Sequence, residues 1–312
     1  VVKWRQRFHH NRLNSLADQP RPGRPAVFPP EQVTQVKALA CELPSQRGVP
    51  LSKFSLSEIT KEVIDTGIIE KVSAASIWRW LHEDALRLWQ HRMWIFPRDP
   101  DFVEKAQPVL DLYQRSFQGR ALRPDEYVIC ADEKTSIQAR QRIHETLPPG
   151  KDRPMLVEYE YERRGALAYL AAWDVHQAIV FGRCEEKTGI VPFNRLIEQV
   201  MRKEPYCYAR RVFLIIDNGS SHRGQACIDR LQVAFPTLYP IHLPVHASWL
   251  NQIEIYFSIV QRKLLTPNNF VSLDAVEERL LAFQERYEQN AKPFNWKFTH
   301  DDLLKLVEKL EE

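Results

Sequence analysis

The chain has 312 residues, 44% of them hydrophobic and 27% charged, with a net charge of only +3. That is the composition of a soluble globular chain with ample core, sized for one large domain and one or two small ones. No apolar run approaches the roughly 18 residues a membrane span needs, and no signal peptide precedes the first basic residues. The cysteines (Cys41, Cys130, Cys184, Cys207, Cys227) are scattered without C-x-x-C spacing. This argues for buried thiols in a reducing cytoplasm, against a disulfide frame or a zinc site.

The charge is uneven. Residues 1–30 hold Lys3, Arg5, Arg7, Arg12, Arg21 and Arg24 against Asp18 alone. A basic amino end before a slightly acidic body points to a polyanion at the front. Residues 1–16 place Trp4 and Phe8 on one helix face with arginines on the other. The segment DQPRPGRP, Asp18 to Pro25, cannot be helix with three prolines and a glycine. It reads either as a semi-rigid linker or as an arginine strap for a narrow A·T minor groove, with Arg21 and Arg24 as the contacting side chains.

Residues 29–95 read as three helices. Pro30 opens the first, Ser55-Leu56-Ser57-Glu58 the second and Ser73 the third. Ile77 and Leu81 point inward from the third helix, with Ser76 and Arg79 partly outward, which fits a helix-turn-helix with its DNA-binding residues there. Trp78, Trp80, Trp89 and Trp94 are expected in the core of this small domain. Asp99-Pro100 then reads as the cap of a linking helix carrying Phe102, Ala106, Val109 and Tyr113.

In the body, the order is three strands, helix, strand, helix, strand, helix. The first strand, Tyr127 to Arg140, carries Asp132, with Glu133 on its opposite face. Strands Gly165–Val175 and Ala178–Cys184 follow, then an amphipathic helix through Phe193, Leu196, Ile197 and Val200. Val212 to Ile216 is a run of five apolar residues, as in a strand buried on both faces, and Asp217 stands at its carboxyl end. After a helix from about Ser221 and a short strand near Tyr239, the spacing predicts a helix over 248–265. Its stripe is Leu250, Ile253, Phe257, Val260 and Leu264, with Glu254 at the edge. Two more helices are expected at about 273–290 and 300–311.

Each acid alone reads as a surface charge or cap. Together, Asp132, Asp217 and Glu254 meet at one end of such a sheet. Three carboxylates with no thiol suit Mg²⁺, and two such ions can stabilise the attacking and leaving oxygens of a phosphodiester displacement.

The blocks ADEKTSIQAR, FLIIDNGSSH, HLPVHASWLNQIEIYFSIVQRK and KPFNW carry a further resemblance. With the RPGRP strap and the helix-turn-helix ahead of them, they resemble the Tc/mariner superfamily of DDE transposases, in its bacterial insertion-sequence branch, over nearly the whole chain. The resemblance implies a ribonuclease-H-like α/β fold, a mixed sheet with flanking helices, behind an all-α helix-turn-helix domain. It makes Asp132, Asp217 and Glu254 the catalytic and metal-binding acids, and Asn218, His222 and Asn251 secondary active-site groups. It implies two Mg²⁺ ions, with Mn²⁺ as substitute. Its partners are double-stranded DNA, as terminal inverted repeats and a TA-containing target, and a second copy of the chain on that DNA. The setting is the bacterial cytoplasm at the nucleoid. The family carries two helix-turn-helix units around the strap, and this chain is expected to keep only the tail of the first. The expected division is therefore 1–28 remnant and strap, 29–96 helix-turn-helix, 97–124 linking helix and 125–312 catalytic domain. The competing readings are a DNA-binding protein or decayed element without catalysis, and a ribonuclease-H-like nuclease without strand transfer.

Overall fold

The computed structural model describes residues 2–13, 27–91 and 97–311. The strap with Arg21 and Arg24, and Trp94, lie outside the described residues. The chain divides into two compact units, 1–94 and 95–312. No helix among the described residues is long and apolar enough to cross a membrane.

The front unit is helical: α1 (Val2–Asn11), α2 (Pro30–Ala40), α3 (Leu56–Asp65) and α4 (Ala74–Glu83). The local chemistry explains the starts. Pro30 sits where a missing N–H costs nothing. Ser55 and Glu58 form a reciprocal capping box, with Ser55 N–H donating to Glu58 Oε2 at 2.7 Å. Ser73 accepts from the N–H of Ser76. Val36, Leu39, Ile59, Val63, Ile77 and Leu81 close a small core.

The tryptophans depart from expectation. Trp80, three residues from Ile77, packs edge-on against Phe28 at 5.1 Å. Trp78 is a neighbour of Ile77 in sequence, so the helix turns it about 100° away from the core. It is exposed, and its ring stacks on His82 one turn on. Trp89 is also exposed.

The second unit opens with α5 (Phe102–Tyr113). Asp99 starts its first turn, its carboxylate accepting the N–H of Asp101 at 3.0 Å, although the helix proper begins only at Phe102. Asp99 is buried, pairs with Lys105 at 2.9 Å and accepts the N–H of Val245 at 2.8 Å. A short hairpin follows, β1 (Ser116–Phe117) and β2 (Arg120–Ala121). The sheet elements are β3 (Glu126–Gln141), β4 (Glu162–Asp174), β5 (Val180–Glu185), α6 (Ile190–Met201), β6 (Arg211–Ile216), α7 (Gly224–Ala234) and β7 (Leu238–His242). Then come α8 (Ile253–Lys263), α9 (Leu273–Glu288) and α10 (His300–Glu311).

The five strands lie in the order β5-β4-β3-β6-β7. β3, β4 and β5 run antiparallel, whereas β6 and β7 run parallel to β3. This is the mixed sheet the sequence predicts, with helices on both faces. The pleat divides the strands: Val128, Cys130, Phe213 and Ile215 face one core with α5, α8 and α9. Ile129, Ala131, Leu214 and Ile216 face the other with α6 and α7.

The helix expected over 248–265 starts later than its spacing predicts. Ser248–Leu250 form a single tight turn, and α8 starts only at Ile253. Asn251 between them is fully buried and extended, and its side-chain amide donates to Ala131 O at 3.1 Å. That bond to β3 interrupts a pattern that is otherwise periodic across the break.

Candidate active site

Strand register brings the first two acids together. Cys130 pairs with Ile215 at the last step of the parallel β3–β6 ladder. Asp132 and Asp217 each lie two residues further on, so they stand at the same level, Asp132 midway along β3 and Asp217 just past the end of β6. Both have the parity of Cys130 and Ile215 and so share the face that α8 covers. Neighbouring strands are about 4.8 Å apart, close enough for strong repulsion between the carboxylates. The third acid comes from the helix. Ile253, Tyr256, Phe257 and Val260 bury α8 against the sheet, and Asn251 ties its start to Ala131, the residue before Asp132. Tyr113 OH adds a second anchor, donating to Leu250 O at 2.6 Å. Glu254, in the first turn of α8, is thereby delivered half-buried beside the other two.

The electrostatics record the crowding. Burial, then the charge of Asp217 and that of Glu254, push the Asp132 carboxyl up to about 7, despite the N–H of Glu133 donating to it at 2.7 Å. Glu254 is raised as well, by burial first, with Lys134 opposing and Asp217 adding. Asp217 behaves in the opposite way. Burial alone would raise it, but a hydrogen bond from His222 and the N–H of Gly219 at 2.8 Å hold it below the usual range.

His222 is fully buried, and burial works against its charge. The bond to Asp217 and the nearby Glu133 carboxylate outweigh that and raise its pKa. Ser221 completes the group, its hydroxyl donating to Glu133 Oε1 at 2.8 Å. Gly219 has to lack a side chain, since a Cβ there would meet His222 Nε2 at 2.8 Å. Asn218 is turned away from the acids and donates to Leu243 O at 2.7 Å.

Among the sequence-predicted residues, then, Asp132, Asp217, Glu254, His222 and Asn251 converge, while Asn218 braces the neighbouring loop. Ser76 and Arg79 belong to the front unit. Arg79 is exposed and donates to the Ser76 hydroxyl at 3.4 Å. Sequence reasoning places Glu133 on the far face of β3 but misses its part in the Asp217–His222–Glu133 chain. The sequence signal was Ser221-His222 just past Asp217.

The donor set suits a hard divalent cation. It offers carboxylate oxygens only, and the repulsion on Asp132 is what such an ion would relieve. Among the described residues no three His, Cys, Asp or Glu side chains are already grouped at ligating distance.

Sequence comparison bears on the same segment. Residues 127–277 match the family model described as DDE superfamily endonuclease. The front, residues 1–81, matches a homeodomain-like domain. The chain carries a DDE endonuclease domain behind a homeodomain-like one. Its fold is similar to that of the Mos1 mariner transposase. The paired-end complex with Mn gives a TM-score of 0.55 at 16% identity, covering 99% of this chain and 83% of that one. The Mos1 paired-end complex with Mg gives 0.55 at 15%, covering 99% and 84%. The Mos1 strand transfer complex gives 0.54 at 13%, again covering 99% and 84%. Identities this low carry the fold alone. No curated protein matches the chain significantly by sequence.

Proposed function

We propose that this DDE endonuclease domain is the catalytic half of a cut-and-paste DNA transposase. It binds the terminal inverted repeats of its element, hydrolyses a phosphodiester at each end and joins the freed 3′-hydroxyl to target DNA, preferring TA. The observation that carries the proposal is that Asp132 and Asp217 each lie two residues beyond the last paired step of β3 and β6, with the start of α8, and so Glu254, tied to β3 through Asn251. The matched domain model and the fold shared with Mos1 support it.

In this reading Asp132, Asp217 and Glu254 hold Mg²⁺ or Mn²⁺, as two ions, consistent with the metals named in the two Mos1 paired-end complexes. Bound divalent ions supply an acidified water and stabilise charge on the attacking and leaving oxygens. The rest falls to the chain. Asn251 positions the start of α8. His222, its charged form favoured by Asp217 and Glu133, orients Asp217 and favours that carboxylate's ionised form. The low-dielectric sheet end strengthens every charge interaction there. DNA recognition is assigned to the front, with Ser76 and Arg79 on α4 at base edges or phosphates and Arg21 and Arg24 in the minor groove. Two copies hold two ends, as in a paired-end complex. A bacterial insertion sequence, acting at the nucleoid, is the proposed source.

The test is strand transfer. Inverted repeats found in the DNA flanking the gene are made as pre-cleaved ends and incubated with the full chain, Mg²⁺ and a plasmid, and the junctions are sequenced. Joined ends at TA are expected. Cutting without any joined product would leave only a nuclease.

A further inference from the structure

A groove of about 590 Å³ runs along the outer half of β3, between residues 157–161 and the end of α8 with its following loop. A second cavity, of about 520 Å³, shares Lys134 and Gln261 with it and reaches Glu254. The groove is built rather than incidental. Pairing of β3 with β4 slips between Lys134 and Ile137, and Ser136 there adopts a left-handed φ of 56°. A non-glycine residue in that region stores about 1 kcal/mol or more, and bulges of this kind re-aim side chains beside active sites. The far wall is pinned to the strand, with Arg140 N–H donating to Asn268 Oδ1 and Arg142 N–H to Asn269 Oδ1, both at 3.1 Å.

The lining is cationic. Lys134, Arg140 and Arg142 form no ion pair among the described residues. The one carboxylate in the lining, Glu158, is occupied by the His144 ring at 2.7 Å and by the N–H groups of Ile143 and His144. Both guanidinium groups lie over the Tyr161 ring, at 4.7 Å for Arg140 and 5.7 Å for Arg142. Arg142 donates through Nε to Asn268 O at 3.2 Å, yet its Nη1 is buried with no hydrogen-bond partner among the described residues. A phosphate oxygen is the acceptor a guanidinium fork fits best. Tyr159, in the same lining, is 93% exposed. An exposed aromatic ring beside fixed cations is the surface on which an unpaired base stacks.

We infer that this groove binds one strand of DNA with its bases unpaired. Arg140, Arg142 and Lys134 take its phosphates, Tyr159 stacks a base, and the strand leads toward Glu254. The volume lies within the roughly 300–1,000 Å³ of a site for a drug-sized ligand, room for one or two nucleotides and not for a duplex. The inference rests on the transposase reading for the strand's destination, while the binding itself follows from the lining.

The experiment uses the full chain and a fluorescein-labelled oligothymidylate about twelve nucleotides long, with a duplex of the same length alongside, both followed by anisotropy over a salt series. Tyr159→Ala removes only an exposed ring. It should weaken oligothymidylate binding about tenfold, leave the salt slope unchanged and shift duplex binding by less than about twofold. Arg142→Gln should weaken it by a similar factor and make the slope shallower by about one, and Arg142→Lys should recover the slope. If Tyr159→Ala binds the oligomer as wild type does, or loses duplex binding in parallel, the groove proposal fails. Asp132→Asn separates the two readings, because it should bind oligothymidylate normally. If it has lost cleavage while Tyr159→Ala still binds like wild type, only the groove proposal falls. If it cleaves normally while the groove variants lose the oligomer, the groove stands and the carboxylate reading falls.

Discussion

Asp132→Asn should make the metal-free protein more stable while making it inactive. The wild-type carboxyl is raised from 3.8 to about 7 by burial and by its acidic neighbours. At 1.36 kcal/mol for each tenfold change in proton affinity, the ionised form is disfavoured in the fold by about 4 kcal/mol, an upper bound. Relaxation and water entry reduce this, and a gain of about 1–3 kcal/mol is the working expectation. The sign follows from linkage. An acid whose folded pKa lies above its unfolded value stabilises nothing on ionising, so stability is highest below pH 3.8 and falls as pH rises toward 7. Asparagine cannot ionise and keeps an oxygen for the N–H of Glu133. Melting in EDTA at pH 8 should therefore give the variant a midpoint higher by roughly 2–10 °C, and the gap should shrink as pH falls from about 7 toward 3.8. Mg²⁺ should raise the wild-type midpoint and leave the variant's nearly unchanged. A variant no more stable than wild type at pH 8 in EDTA would refute the crowding of charge at this position.

Other expectations are more direct. The His222 ring should titrate above 6.5 by NMR, because Asp217 and Glu133 favour its charged form. Its stabilising contribution is present below 6.5 and lost as pH rises through the folded value, and a ring titrating below 6.5 would contradict that. Asn251→Ala leaves Ala131 O without its donor and frees the start of α8, so melting should fall by about 1–3 kcal/mol and cleavage should drop with it. Removing residues 1–25 deletes six basic side chains, and the slope of log K against log salt for end DNA should become shallower; an unchanged slope would mean the strap makes no phosphate contact. Alanine at Arg21 and Arg24 should cost preference for A·T-rich flanks more than general affinity, measured by competition with G·C-rich flanks.

Much of this fold is legible in the sequence because its signals are local. The run Val212–Ile216 reads as a doubly buried strand and is one. Ser55 and Ser73 announce their helices through caps that the structure retains. The misses share one cause, a partner far away in the chain. Leu250, Ile253, Phe257 and Val260 keep helical spacing across Asn251, so nothing local reveals that Asn251 leaves the helix to reach Ala131. Asp99 accepts the N–H of Asp101 as a cap would, but nothing local reveals that Lys105 and Val245 bind it as well. The β1–β2 hairpin, two residues a side, is too short for periodicity to mark. The same holds at the site. The pairing of Asp132 with Asp217 follows from strand order, whereas the link from Glu133 through His222 to Asp217 depends on how the loop after β6 folds back over the sheet end.

The measurement that tests the central claim most directly is Mg²⁺-dependent cleavage of terminal-repeat DNA by Asp132→Asn, Asp217→Asn and Glu254→Gln, each with a gel shift on the same preparation. Glu254→Gln keeps size and helix propensity while removing one charge from the first turn of α8. All three variants should bind the repeat as wild type does, because the front makes that contact, and all three should lose cleavage by two or more orders of magnitude, about 3 kcal/mol in the barrier. A Glu254→Gln variant that cuts at near wild-type rate while both asparagine variants are dead would contradict the account and move the third ligand to another acid, with Glu133 and Glu185 first to be tested.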